Sequence, residues 1–586
     1  MTAPTRPGRR PPARVPGPPP RRRRRPVAWA RLAPLLIAAL AAFVAGAAVG
    51  QTGDDPRRTA AQDFANAWTR GDYAAMYELL TPEDRRRVPL ERFSAAYREA
   101  AKVTTLSGVT AGRAGKPVDG LVTVPVVLRT RIFGTLSGRL ALPMVEGEGE
   151  EGAAVDWTRN VVHPGLRPSE KLTRSTTMPP RAAIQARDGT PLAEGDARLS
   201  ELGALASEIA GRIGPAPPER AAELERRGVP PGAPVGLTGL EREFDTELAG
   251  TPGGELRAGD RVLASVEPRR GSAVRTTIDP DVQRAAVEAL AGRFGGIAVI
   301  RPGDGEVLAL AGIAYSAPQP PGSVFKIITI AGALEAGVAK KSSDYPVQTA
   351  AVLEGVELQN ANGESCGGSL ANAFAHSCNS VFAPMGAKLG PHKLVAAAEK
   401  FGFNADPGLA GAMRSTIPAA AEIGDDLAVG STAIGQGQVL ATPLEFATVA
   451  GAIAERGVRV QPTLRKGAEP RRDRATPEHV ARLIGRYMRR VVTSGTGVGA
   501  AIPGVKVAGK TGTAELRDTT NEDPDPADPA APVDDRTDTN AWFAAYAPMA
   551  HPRVAVAVML VGQGAGGETA APAAKHVIEA ALERGR

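Results

Sequence analysis

Three short motifs constrain this chain more than any other feature: Ser323-Val-Phe-Lys326, Ser377-Cys-Asn379 and Lys510-Thr-Gly-Thr513, in that order. They act together only if one fold carries residues far apart in sequence to one place. Each is weak alone, because serine caps helices and lysine usually snorkels its charge to water. Together they supply a nucleophile, proton-handling groups and a cationic, glycine-containing strand for a carboxylate, the parts that serine-based acyl transfer requires.

The local patterns predict how each motif is held. Pro320-Pro-Gly322 breaks the chain before Ser323, and Phe325, Ile327, Ile328, Ile330 and Leu334 then fit a buried helix with Ser323 at its N-terminus. Lys326, three residues on, falls on the same face and within reach of the Ser323 hydroxyl. Burial disfavours an ammonium, which would leave the amine free to act as a base, and the helix N-terminus would favour a developing oxyanion. A helix over residues 369–375 is expected to lead into a loop carrying Ser377 as a proton relay and Asn379 as a holder of a substrate amide. Residues 505–514 read as a strand, where period 2 puts Thr511 and Thr513 on one face to bind a terminal carboxylate beside Lys510. Gly512 is expected to let a substrate lie close to the backbone.

At 586 residues the chain exceeds one ordinary hydrophobic core, so several domains are expected. Residues 32–50 form an uncharged apolar run long enough to cross a hydrocarbon core of about 30 Å. The run Arg21 to Arg25 precedes it and Asp54-Asp55 follows it, so the positive-inside rule predicts a cytoplasmic Arg/Pro-rich tail (1–31), an anchor in the cell membrane (32–50) and an exported remainder. The rival is a cleaved signal ending near Ala45-Gly-Ala47. The formal charge of +7 owes much to this basic arm, so it does not point to nucleic acid as a partner of the folded part. The two cysteines, Cys366 and Cys378, are compatible with one disulfide closing a short loop beside Ser377 or with two packed thiols. Six histidines without ligand spacing predict no metal, and nothing in the chain calls for a cofactor.

In the exported part, Phe64, Trp68, Met76, Tyr77 and Leu80 recur at helical intervals interrupted at Gly71-Asp72, and alternating segments follow over residues 120–128 and 136–142. This predicts a small α+β domain over 55–162. Its Phe64-Ala-Asn-Ala-Trp68, Gly71-Asp-Tyr73, Met76-Tyr77 and Val155-Asp-Trp157 resemble the NTF2-like N-terminal domain of penicillin-binding transpeptidases of the methicillin-resistance type. The aromatic stripe reads as core, so no catalysis is assigned there. Over 165–275, Arg181-Ala-Ala-Ile-Gln-Ala-Arg-Asp-Gly189 and the helical stretch from Gly239 to Gly250 are similar to the elongated pedestal or dimerisation module of class B penicillin-binding proteins, a structural role. From 276 to 586 a helix, a hairpin over 295–310, strands over 539–547 and 554–561 and a closing helix over 572–583 predict a mixed sheet flanked by helices, with a polar loop over 516–540.

The three motifs, the run Ala375-His-Ser-Cys-Asn-Ser-Val-Phe382, Gly435-Gln-Gly437 and Thr442-Pro-Leu444 resemble the transpeptidase domain of an actinobacterial-looking class B penicillin-binding protein. The resemblance implies a serine β-lactamase-like fold with Ser323, Lys326, Ser377, Asn379 and Lys510 as catalytic residues. It implies an acyl-enzyme formed from a D-Ala-D-Ala stem peptide of peptidoglycan and resolved by the amine of a neighbouring stem. Thr511, Gly512 and Thr513 would bind substrate or β-lactam, and the backbone N–H groups of Ser323 and Thr513 would form the oxyanion hole. A glycosyltransferase of the division or elongation machinery is the implied protein partner. The alternatives are a D,D-carboxypeptidase, a serine β-lactamase and a non-catalytic β-lactam sensor or scaffold. A β-lactamase needs a carboxylate base, and Glu422, in Ala-Ala-Glu-Ile-Gly, does not match the expected motif. A sensor would need an effector domain or several membrane spans.

Overall fold

The computed structural model describes residues 55–146, 152–515 and 539–583. The expected tail (1–31), the anchor (32–50) and most of the 516–540 loop lie outside the described residues. Among the described residues no helix is long and apolar enough to cross a membrane.

The chain divides into two compact units, the first built from its N-terminal part to residue 93 with 111–126 and 139–161. Helix Pro56–Arg70 ends at Gly71 (φ 70°), and Asp72 caps helix Tyr73–Glu78 by accepting from Ala75 N at 3.0 Å. Only a residue tolerant of the left-handed region fits that joint. Phe64, Trp68 and Met76 are buried, and Phe93 packs edge-on against Tyr77 and Trp157 at 5.7 and 5.2 Å, so the aromatic stripe is core. Buried Asp84 accepts from Trp157 N at 2.8 Å and from the Thr81 hydroxyl at 2.9 Å, tying a helix to the segment after strand Ala153–Val155. The end of strand Thr135–Glu146 pairs antiparallel with that strand, Met144 opposite Val155.

The second unit holds 94–110, 127–138 and everything from 162 on. Its pedestal part has a three-stranded antiparallel sheet, with Gly253–Ala258 between Leu172–Thr177 and Arg261–Val266. A turn at Asp188-Gly189 joins strands Ile184–Gln185 and Pro191–Ala193. Glu241, 1% exposed, takes Arg181 and Arg198, both at 2.6 Å, while Asp245 takes Arg181 at 2.8 Å and Arg220 at 2.7 Å. Among the described residues Arg198 pairs only with Glu241 and Arg220 only with Asp245, so removing either carboxylate would leave a partly or fully buried guanidinium without its ion-pair partner.

The elements that hold the motifs are α1 (Pro280–Leu290), β1 (Gly295–Ile300), β2 (Val307–Gly312), α2 (Lys326–Glu335), α3 (Leu370–Ala375), α4 (Asn379–Leu389), α5 (Pro443–Ala454), α6 (Glu478–Ser494), β3 (Ala508–Glu515), β4 (Thr539–Ala547), β5 (Val554–Leu560) and α7 (Ala570–Glu583). The sheet order is β2-β1-β5-β4-β3, which unites strands from both ends of the domain as expected. The sheet is not mixed: every pair is antiparallel. Sequence neighbours β1–β2, β3–β4 and β4–β5 pair directly with each other, and only parallel neighbours require a crossover.

Both faces are covered. Ile297, Val299, Phe543, Val556 and Val558 pack with Val282, Ala286, Val577 and Ile578 of α1 and α7. Ala298, Ile300, Trp542, Tyr546 and Met559 face the larger core that contains α2 and α5. Two-sided burial explains why β1 and β5 read as unbroken apolar runs rather than alternating ones.

Candidate active site

The serine turn is built by glycines that let backbone touch backbone. Gly322 (φ 53°) opens a short 3-10 turn, Gly322–Phe325, and its N–H donates to Gly435 O at 2.9 Å. A Cβ on Gly435 (φ 82°) would lie 2.0 Å from Gly322 O, and one on Gly322 would lie 2.3 Å from Thr513 O. One on Gly512 would meet Pro321 O at 2.8 Å and Trp542 Cβ at 2.9 Å. The missing side chain of Gly512 thus makes room for the protein's own serine turn, a packing reason that the strand pattern alone did not reveal. Trp542 Nε1 donates to Pro320 O at 2.9 Å, pinning the turn from β4. Gly435→Ala is expected to lower the melting temperature and slow acylation by fluorescent penicillin about a hundredfold, since a shift of ~1 Å at a reacting atom costs that much. A wild-type labelling rate would show that the clamp is not there.

Ser323 sits in this 3-10 turn, and α2 starts only at Lys326, one turn later than the sequence pattern predicts. Val324, Phe325, Ile327, Ile328 and Ile330 are fully buried, so Lys326 points into an apolar interior with 0% exposure. Its Nζ meets Ser323 Oγ at 2.9 Å, Ser377 O at 2.7 Å, Asn379 Oδ1 at 2.6 Å and Ser377 Oγ at 3.3 Å. Two of these partners, Ser377 O and Asn379 Oδ1, can only accept. A neutral amine gives them its two N–H groups, and its lone pair is left for a hydroxyl proton. Burial, with a smaller contribution from the Lys510 charge, holds Lys326 well below the usual lysine range, which favours that neutral form.

Ser377 has φ 60°, which is unusual for a residue with a side chain, and both its carbonyl and its hydroxyl reach Lys326. Its hydroxyl also accepts from Lys510 Nζ at 2.9 Å, so it lies between the two lysines. Lys510 donates to Thr511 O at 2.9 Å, and burial pulls it down to about 7. Lys326 lies over the Phe382 ring at 5.6 Å and Lys510 over Phe374 at 5.7 Å, so each amine rests on an aromatic face. Asn379 is not in a loop, as expected, but opens α4, and its Nδ2 donates to Gln359 O at 2.7 Å. One amide N–H then remains for a substrate. Cys366 and Cys378 form a disulfide, with Cα atoms 5.7 Å apart, which joins strand Cys366–Ser369 to the middle of this motif.

β3 is an edge strand, so one row of its backbone groups has no strand partner. Thr511 and Thr513 share a face as predicted. Thr513 Oγ1 accepts from Gly566 N at 3.4 Å. Thr511 Oγ1 lies 2.5 Å from Thr496 Oγ1, while Thr496 N donates to Ala375 O at 3.1 Å. Thr496 therefore ties β3 to the end of α3; the sequence assigned no role to it, to Gln359 or Phe374, or to Phe382 beyond its place in the motif run. The last two flank the second motif at helical spacing, and an aromatic at that spacing reads as ordinary core. Glu422 is exposed and accepts from Ala419 N at 3.2 Å, and among the described residues no partner of Lys326 is a carboxylate. Among the described residues no cluster of possible metal ligands occurs.

Known protein families and proteins are similar to this chain in sequence and fold. Residues 295–579 match the penicillin binding protein transpeptidase domain, 189–275 the penicillin-binding protein dimerisation domain and 57–170 the NTF2-like N-terminal transpeptidase domain. The chain is 33% identical to peptidoglycan D,D-transpeptidase PbpA of Mycolicibacterium smegmatis over 421 residues, 59% of this chain and 80% of the relative. For PbpA of Mycobacterium tuberculosis the identity is 34% over the same shares. The ceftriaxone acyl-enzyme of M. tuberculosis penicillin-binding protein A superposes with a TM-score of 0.55 at 28% identity, covering 69% of this chain and 98% of that one. With three successive domain families matched in order, and a relative covered over four-fifths of its length, the chain belongs to the class B penicillin-binding proteins.

Proposed function

We propose that this protein is a peptidoglycan D,D-transpeptidase that works through an acyl-enzyme on Ser323 and is itself acylated by β-lactams. The observation that carries the reading is the approach of Lys326 Nζ to Ser323 Oγ at 2.9 Å, with the amine's N–H groups taken by two carbonyl oxygens. Relatives named peptidoglycan D,D-transpeptidase and an acyl-enzyme structure of penicillin-binding protein A support it.

The chemistry follows from the site. Ser323 Oγ attacks the carbonyl of the penultimate D-Ala while Lys326 takes its proton. The backbone N–H groups of Ser323 and Thr513 receive the oxyanion, Lys510 with Thr511 and Thr513 receives the terminal carboxylate, and the free amide N–H of Asn379 holds the stem. Lys326 returns its proton through the Ser377 hydroxyl to the leaving D-Ala amine as the C–N bond breaks. The acceptor amine then attacks the ester, loses a proton by the same route, and Ser323 Oγ leaves reprotonated. Relatives named peptidoglycan D,D-transpeptidase favour an amine over water as the acceptor.

Sequence supports a single membrane anchor at residues 32–50 with the catalytic domain outside the cell, where its substrate lies, and the family resemblance implies a glycosyltransferase of the division or elongation machinery as its partner. The test is intact-mass analysis of purified ectodomain with a D-Ala-D-Ala stem peptide and an acceptor amine. Cross-linked dimer is expected. Hydrolysed stem alone would mark a carboxypeptidase, and rapid hydrolysis of penicillin without a persistent adduct would mark a β-lactamase.

A further inference from the structure

The orientation of Asn379 decides whether Lys326 has a lone pair to offer. With Oδ1 towards Lys326, the amide accepts an N–H; turned over, its Nδ2 would donate into the amine's lone pair and block the base. The side chain touching the other end settles which way it faces. Gln359 O is an acceptor only, and Asn379 Nδ2 lies 2.7 Å from it, so Oδ1 must face Lys326.

The Gln359 carbonyl is held by its strand, where Gln359 pairs with Ala350, and at the strand's end by the next residue. Asn360 is 4% exposed and spends its side chain on three separate segments. Its Nδ2 donates to Gln348 O and to Glu364 O, each at 2.8 Å, and its Oδ1 accepts from Ser380 N at 2.8 Å. Its own N–H donates to Thr349 O at 2.7 Å. One buried amide thus joins strand Asp344–Gln348, the end of strand Val356–Gln359, the turn before Cys366 and the first turn of α4. All of its stronger hydrogen-bonding groups are used, which is the condition under which a buried polar group specifies one arrangement.

We propose that Asn360 is a positioning residue for the acylation base: by fixing the Gln359 carbonyl and the first turn of α4 together, it holds Asn379 in the one orientation that leaves the Lys326 lone pair facing Ser323. The inference rests on the acyl-enzyme reading of Ser323 and Lys326.

A double-mutant cycle on the ectodomain tests it, with the acylation rate constant k2 and the binding constant Ks of fluorescent penicillin as readouts. Asn360→Ala is expected to lower k2 by roughly tenfold to a hundredfold with Ks little changed. In an Asn379→Ala background, the same change is expected to have no further effect on k2, because residues that act through one another are not additive. Asn360→Asp keeps the acceptor for Ser380 N and loses both donors, and it replaces Asn360→Ala in the cycle if the alanine variant does not fold. A multiplicative loss in the double variant, a loss confined to Ks, or a folded variant with wild-type k2 would overturn the proposal. Unmodified protein that forms no adduct on Ser323 would instead refute the functional reading itself.

Discussion

Ser323→Ala protein is expected to show no covalent adduct with fluorescent penicillin or with stem peptide, a fall on the order of a million-fold in turnover, as for other serine nucleophiles. The prediction is sharp because the described site holds no second group to take over. Ser377 Oγ sits between two lysines but accepts from Lys510, and its φ of 60° points its carbonyl as well as its hydroxyl at Lys326, so it is placed to carry protons and not to attack. Loss of Ser323 Oγ leaves Lys326 bound to Ser377 O and Asn379 Oδ1. The stability change is therefore expected to stay near the ~1 kcal/mol of one hydrogen bond, and the melting temperature checks that the protein remains folded. Persistent labelling of the alanine variant, mapped by peptide mass to another residue, would sink the assignment.

The second large effect concerns Lys326. Its removal as Lys326→Met is expected to slow acylation about 10²- to 10⁴-fold, the usual worth of a general base, while non-covalent binding of the donor changes little. Lys326→Arg should be equally inactive, because a guanidinium keeps its proton and has no lone pair to offer. The same residue sets the pH profile. A depressed value means the ammonium forms only at low pH, so k2 is expected to fall as pH drops through the Lys326 transition, well below the usual lysine range. Lys510 runs the other way. It is cationic below about 7 and loses charge above it, so binding of a carboxylate-bearing donor weakens as pH rises through that value. The two lysines share Ser377 and repel one another, so the two limbs of a k2/Ks profile belong to the pair. Stopped-flow acylation from pH 5 to 10 checks both limbs. A flat k2 in the Lys326→Met variant with unchanged magnitude would mean another base is at work.

Much of the fold was readable from pattern because each signal rested on local chemistry. The joint at Gly71-Asp72 was visible because glycine and a capping carboxylate mark a helix break wherever they occur. The hairpin of β1 and β2 was visible because a Pro-Gly-Asp-Gly turn separates two apolar runs. Strand direction was not: apolar runs buried on both faces look alike in parallel and antiparallel sheets, and the sheet proved wholly antiparallel. The reason for Gly512 was equally hidden, since what a Cβ would strike there comes from Pro321 and Trp542, remote in sequence.

By itself, the sequence determined the chemical parts and their order: a serine three residues before a lysine in an apolar run, a Ser-Cys-Asn step after a short helix, and a Lys-Thr-Gly-Thr strand. Local propensity, period and motif spacing suffice for that, because they depend on residues a few positions apart. Only the tertiary structure decided that Lys326 gives both N–H groups to carbonyl oxygens, that Cys366 meets Cys378, that Thr496 braces Thr511, and that Asn360 fixes the neighbour of Asn379. Those pairings join different helices, strands and turns, which no local period relates. The proton state of a buried amine is set by which donors and acceptors surround it, and packing alone brings them there.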